Sequence, residues 1–485
     1  MKRAIGVALL SLFAAATAPA ADLLSVYQDA LANDPAIREA DATRKANREA
    51  RPQAWAALLP QISGTASLQR GTQDSSQQFS QLGPNGQPVV FNQVVHREPD
   101  TRTWAINLRQ NLFSWSYWST LRAANYQVAQ AEADYQAAEQ DLISRAAQRY
   151  FGVLSAQDTV EANQAALDAF SRQLDQANKR FEVGLIAITD VQDTKAARDQ
   201  AAAAVIAAKR SLASAEEQLR EVTGQKYDKL ARPGENMPLK SPEPNVEQNW
   251  VDISMDQNLA LISSRLQADQ ARANVQTAFG NHLPTIDVVA TRDHSNGEGD
   301  ARFDPALPLT PAPSTATDKT YGLQVTVPIF SGGLTQSRVR QSQYQWIAAK
   351  ERVTRTSRAT ERAARDAYLG VISNMARVQA LKQALESSQT SLKATEAGYE
   401  VGTRTSVDVL DARRLLVQAQ TNYSQSRYDY LLTVIGLRQA AGNLDKQTLD
   451  DLNALLTVTI PTAPTDPSAP VTVPPPAQQP PPPNN

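Results

Sequence analysis

Apolar and polar residues along this chain follow two periods, and each period comes in long blocks. Leu121, Val128, Tyr135 and Leu142 recur every seven residues, and Ala124, Ala131 and Ala138 sit three later each time. That is an a/d heptad seam. Leu416, Tyr423, Tyr430 and Leu437 repeat likewise. The pattern predicts long helices near 114–181, 188–224, 332–398 and 405–442, with abundant alanine allowing close approach. A helix over 114–181 would be about 100 Å long. A compact globule has no use for that length; a tube crossing a compartment or a coiled-coil rod does.

The second period is two. Trp104, Ile106, Leu108 and Leu112 fall on one face, and Ala105, Asn107, Arg109 and Asn111 on the other. Tyr321, Leu323, Val325, Val327 and Ile329 alternate with Gly322, Gln324 and Thr326. Ile62, Gly64, Ala66 and Leu68 alternate with Ser63, Thr65 and Ser67, and Ile286, Val288 and Ala290 form a weaker case. Strands are expected at 61–72, 101–113, 283–293 and 320–330. The segments between them, 72–100 and 294–319, are rich in Gly, Pro, Gln, Ser and Asp and read as exposed loops. Alternation alone fits a soluble sheet with one buried face as well as a lipid-facing one. Trp115, Tyr117 and Trp118 cluster where an interfacial girdle would sit.

The body reads as two repeats. "LLPQISG" at 58–64 is echoed by "HLPTIDV" at 282–288, and "NLFSWSYWS" at 111–119 by "VPIFSGGLT" at 327–335. "RFEVGLIAITDVQD" at 180–193 returns as "GYEVGTRTSVDVLD" at 398–411, with Asp190 and Asp408 in register. The expected layout is a signal peptide over 1–20 and a first repeat over 21–225, with a tip turn at 182–188. A connector over 226–248 and a second repeat over 249–443 follow, with a tip turn at 399–405. Residues 444–485 form a C-terminal extension, Pro-rich and disordered from about 461. The leader rests on Lys2 and Arg3, the apolar run Ala4 to Ala16, and small residues at Ala18-Pro19-Ala20.

Composition narrows the chemistry. A formal net charge of -2 gives no support to nucleic-acid binding. Without cysteine there are no disulfides and no thiolate chemistry. No Walker motif occurs, and the three histidines (96, 282, 294) have no metal-ligand spacing, so neither cofactor nor metal is expected and no enzyme constellation is visible. No later apolar run is long enough for a transmembrane helix, so a membrane crossing would have to be a β-barrel. One chain offers four strands, whereas closed outer-membrane barrels begin at about eight. A barrel therefore demands an oligomer, a dimer or a trimer by geometry.

At this point the chain resembles the TolC family of outer-membrane efflux and secretion ducts. The resemblance runs from "LLSVYQDALANDP" to "LRQAAGNLD" and rests most on "NLFSW", "HLPTIDV" and the two turn motifs. It implies a mixed α+β membrane protein and a homotrimer. The trimer would build a twelve-stranded outer-membrane β-barrel, continued by a twelve-helix coiled-coil tunnel in the periplasm. The implied partners are a periplasmic adaptor, an inner-membrane pump or ABC exporter, and outer-membrane lipid. The implied cargo is drugs or proteins. A pore-free periplasmic scaffold is the competing reading.

The resemblance also assigns roles. Gly184, Leu185, Gly402 and Thr403 would form the tip that meets the adaptor, although both glycines are equally well explained as helix C-caps. Tyr399 and Arg404 would reach Thr189 and Asp190, within or between protomers, and clamp the entrance. Asp408 and Asp411 would line it as carboxylate rings. From the residues alone, Asp408 also fits a capping box with Thr405, Asp190 fits an N-cap, and both pairs fit a solvated face.

Overall fold

The computed structural model describes residues 21–234, 237–302, 308 and 310–461. The expected signal peptide and the Pro-rich tail beyond Pro461 lie outside the described residues. In chain order the elements begin with α1 (Leu23–Asn33), α2 (Pro35–Arg48), α3 (Ala50–Ala56), β1 (Gln61–Arg70), β2 (Gln73–Leu82) and β3 (Pro88–Phe113). Next come α4 (Trp115–Glu182), α5 (Ile188–Thr223), β4 (Lys229–Pro233), α6 (Glu247–Gln257), α7 (Leu259–Gly280) and β5 (Thr285–Arg302). The chain continues with β6 (Thr310–Pro311), β7 (Ser314–Thr326), α8 (Leu334–Glu400), α9 (Ser406–Ala441), α10 (Lys446–Asn453) and β8 (Leu456–Pro461). Two compact units result, and three separated stretches of chain build the first of them.

The first unit holds the main core. Tyr150, Phe151 and Leu154 of α4 pack with Leu212 of α5 and with Tyr428, Leu431 and Ile435 of α9. Phe151 and Tyr428 stack with centroids 5.8 Å apart. The stretch expected to be a plain connector contains β4, and the C-terminal extension folds as α10 and β8. β4 pairs antiparallel with β8, Leu230 facing Ile460. Tyr150 locks this ribbon from below: its hydroxyl accepts from Ala231 N at 3.0 Å and donates to Ala231 O. Short elements with mixed polarity carry weak periodic signals, which is why the sequence pattern did not reveal them.

The second unit is the sheet and its supporting helices. β1 pairs β3, β3 pairs β5, and β5 pairs β7, all antiparallel. β2 folds back on the first half of β3, and β6 touches β5. The described parts of the expected loops over 72–100 and 294–319 are thus largely strand, and among the described residues the sheet has six strands rather than four. The reason is physical. The polar run of β2 and the Gly-Pro and Pro residues that follow read as loop, and the valines of early β3 come in adjacent pairs that do not alternate. Below the sheet, Leu58 and Ala54 pack on Leu121 and Ala124.

Candidate functional site

The two helix-joining turns share one backbone design. Gly184 has φ +73° and Gly402 φ +80°. In each turn the residue after the glycine bonds back to the helix: Leu185 N donates to Arg180 O, and Thr403 N to Gly398 O, both at 2.8 Å. Gly184 N donates to Phe181 O and Gly402 N to Tyr399 O. This is the Schellman closure, which needs a left-handed residue at its centre. A Cβ at either glycine would meet nothing within 4 Å, so backbone conformation alone selects glycine. Leu185 and Thr403 are exposed at the turn.

The polar equipment differs. Thr405 caps α9: its hydroxyl accepts from Asp408 N, while the Asp408 carboxylate accepts from Thr405 N at 2.8 Å and Thr405 Oγ1 at 2.9 Å. These bonds, with Arg404 nearby, hold the Asp408 carboxyl below its ordinary value. In the first turn Ala187 stands where Thr405 stands in the second. The N-cap of α5 is therefore Ala187, with no side-chain bond, and Asp190 lies in the first helical turn. The N-cap expected of Asp190 is corrected: the geometry places it three residues too late. Thr189 is exposed beside it.

Asp411 pairs with Arg414 at 3.1 Å, and Arg414 also reaches Gln200 of α5. Tyr399 packs against Leu392, Val409 and Ala412, and the Arg180 guanidinium lies 5.0 Å from its ring centroid. Arg404 folds back over Gly398, whose missing Cβ would sit 2.8 Å from Arg404 Cγ. Among the described residues, no hydrogen bond or ion pair within one chain joins Tyr399 or Arg404 to Thr189 or Asp190. Behind Tyr399, Arg413 bonds Glu396, and Arg172 and Arg180 line a 280 Å³ cavity with them. Arg180 and Glu396 were missed because their roles depend on cross-helix contacts.

Farther along α4, Asp158 is a polar hub that sequence reasoning also missed. It accepts from Tyr428 Oη at 2.8 Å, from Ser424, and from Arg232 of β4 at 3.1 Å. Burial and the adjacent carboxylate push the Tyr428 phenol upward.

The sheet presents a second functional surface. Register puts Ile62, Leu108, Ala290 and Tyr321 in one row across four strands. Leu323 and Val325 continue the same face, and Tyr321 is 83% exposed with Leu323 at 63%. The opposite face carries Asn107, Arg109, Asp287 and Thr291, bonded to one another. Asp287 is buried at the base, where Arg109 and Asn111 hold it. Among the described residues, no helix is long and apolar enough to cross a membrane, and no cluster of His, Cys, Asp or Glu could hold a metal ion.

The profile of the family described as outer membrane efflux protein matches residues 26–225 and 250–443. The chain belongs to that family. It is 36% identical over 439 residues to outer membrane protein TolC of Vibrio cholerae, covering 90% of this chain and 94% of that protein. TolC of Escherichia coli K12 is 34% identical, covering 92% and 87%. The alkaline protease secretion protein AprF of Pseudomonas aeruginosa is 28% identical, covering 88% and 86%. The fold matches the CmeC outer membrane channel of Campylobacter jejuni with a TM-score of 0.67 at 18% identity, over 90% of this chain and 89% of that one. This efflux-family member is thus an outer-membrane protein of mixed α+β fold, in a family of transport ducts rather than enzymes.

Proposed function

We propose that three copies of this chain form one export duct, with a closed twelve-stranded barrel in the outer membrane and a helical tunnel below it. The observation that carries this is the exposed apolar face on a sheet whose outer strands, β1 and β7, have one partner each along the apolar rows. In lipid, unpaired strand edges are prohibitively costly, so neighbouring copies must close them. A pore-free scaffold leaves that apolar face without a purpose. The two structural repeats per chain then supply two strand pairs and two helix pairs to each third of the duct.

In that assembly the turns form the periplasmic tip. Gly184, Leu185, Gly402 and Thr403 offer the exposed backbone on which a periplasmic adaptor docks. Asp408 and Asp411 from three copies ring the entrance. Tyr399 and Arg404 of one protomer clamp Thr189 and Asp190 of the next; the free first-turn position of Asp190 supports a pairing between chains. The relatives' names point to efflux and protease secretion; drugs or proteins passed on by an inner-membrane transporter are the cargo. Purification from outer membranes as a heat-modifiable trimer that conducts in planar bilayers tests the duct. A soluble monomer without conductance overturns it.

A further inference from the structure

Toward its hairpin end the outward apolar band is interspersed with cations. One row above Ile62, Leu108 and Tyr321, on the same face, Arg292 stands directly opposite Lys319. Two rows farther, Arg102 follows, paired in register with Leu68 and Asn296. Between them lie Trp104 and His294, centroids 5.8 Å apart, with the Arg292 guanidinium 5.8 Å from the Trp104 ring. Leu68, Arg102, Trp104, His294 and Asn296 line a shallow cleft of about 430 Å³.

These cations differ from Arg109 and Arg70 of the same sheet. Arg109 is ion-paired with Asp287, and Arg70 grips Asp100 with two bonds. Among the described residues, none of Arg102, Arg292 and Lys319 has an ion-pair partner within 4.0 Å. Two like charges directly opposite on neighbouring strands destabilise the sheet unless an anion sits between them. Asp100 and Glu298 share the row beyond Arg102; Asp100 feels Arg102 electrostatically but is bonded to Arg70.

The position fits a membrane border. From Phe113 to Arg102, along β3, is roughly 36 Å at about 3.3 Å per residue. Tilted by about 40°, as in outer-membrane barrels, that is close to the ~25 Å height of an apolar band. Arg102 therefore falls at the hairpin end of the band, where the headgroups of the outer leaflet begin; Arg292 and Lys319, level with Ile106, start about 13 Å of strand lower and reach toward that border with their long side chains.

We infer that Arg102, Arg292, Lys319 and Trp104 form a binding site for the phosphate of a phosphorylated glycolipid of the outer leaflet. Its acyl chains lie along the apolar rows beneath. Arginine presents paired donors to phosphate oxygens, lysine adds a point charge, and tryptophan packs at the headgroup level. The inference rests on the barrel reading above.

The test uses the purified full-length chain in detergent, with retained lipid measured by native mass spectrometry. The probes are lipid A, lipid A stripped of its phosphates, and inorganic phosphate as competitor. Wild type is expected to retain lipid A and to release the stripped form. The R102Q/R292Q/K319Q variant should bind lipid A more weakly by on the order of a hundredfold, at the usual worth of three interfacial cations. Excess inorganic phosphate should not displace the lipid. Equal retention by wild type and variant, equal retention of stripped lipid, or displacement by inorganic phosphate would each overturn the site. Conductance and heat-modifiable trimer are read on the same preparations. A wild type lacking both sinks the barrel reading; an intact channel indifferent to the lipid phosphates sinks this inference alone. Should the triple variant not assemble, K319Q, which relieves the repulsion with Arg292, carries the comparison. It should still lose about fivefold in retention.

Discussion

The turn at Gly184 and the turn at Gly402 have the same backbone and opposite uses of their carboxylates. In the second, Asp408 is engaged by Thr405 at the start of α9. In the first, Ala187 replaces the threonine, and Asp190 has no cap to complete. A second exchange accompanies the first. Arg180 stacks on Tyr399 across the helices, while the matching position in the other turn is Gly398, which gives Arg404 room to fold back. The lesson is that fold and function separate cleanly here. Two glycines preserve the reversal, and substitutions one to four residues away decide which charges are free to meet a neighbour.

The largest expected effect comes from removing what only the second turn carries. Tyr399→Phe with Arg404→Ser should leave a heat-stable trimer whose closed-state conductance in planar bilayers is raised. Loss of about 3 kcal/mol of charge-assisted bonding would multiply the open population by roughly a hundred. Unchanged closed conductance would end the clamp.

Next in size are the carboxylates. Asp408→Ala with Asp411→Ala should reduce cation preference, read as the reversal potential in a salt gradient, and abolish block by multivalent cations from the tip side. Asp411→Ala alone should do part of this without disturbing any cap, since its chain partner is Arg414. The pH dependence has a defined sign. The folded carboxyl of Asp408 is lowered, so the cap it supplies is present above the unfolded value near 4 and fades only as pH falls through the lower, folded value. Selectivity due to Asp408 should accordingly persist into mildly acidic buffer.

A smaller effect tests the comparison from the other side. Ala187→Thr should give the first turn the capping box of the second. It should stabilise the start of α5 by about 1 kcal/mol, visible as slower amide exchange there. By occupying Asp190 it should also raise closed-state leakage. The smallest effect is shared. Gly184→Ala and Gly402→Ala should each cost about 1 kcal/mol through the left-handed conformation, by equal amounts, because neither new methyl touches anything. A bulky residue at either position should abolish export and adaptor cross-linking while the protein remains in the outer membrane.

Much of this was legible in the sequence, for identifiable reasons. Heptads such as Leu121 to Leu142 mark a helix because one stripe must be buried for its whole length. Leu108 and Tyr321 mark strands because apolar and polar residues alternate around them onto opposite faces of the sheet. Residues 73–82 and 88–100 escaped notice because β2 is almost wholly polar, and the valines of early β3 come in adjacent pairs (Val89-Val90, Val94-Val95) that do not alternate. At the tip, the Gly and Asp positions were readable from the twin motifs, and so was the Thr405 box. Arg180, Glu396 and Asp158 were not, since each acquires its role from a residue on another helix.

The ribbon of β4 and β8 bears on how the protein is made. Leu23 N donates to Asn453, 430 residues away, and the Asp22 carboxylate accepts from the same side chain. Ala21 bridges to Leu230, which itself waits for Ile460. Helix α1 is therefore held from two distant parts of the chain, by α5 on one side and by α10 on the other. A chain cut before Leu456 lacks that closing strand, and β4 is left with an open edge and its Leu230 without Ile460.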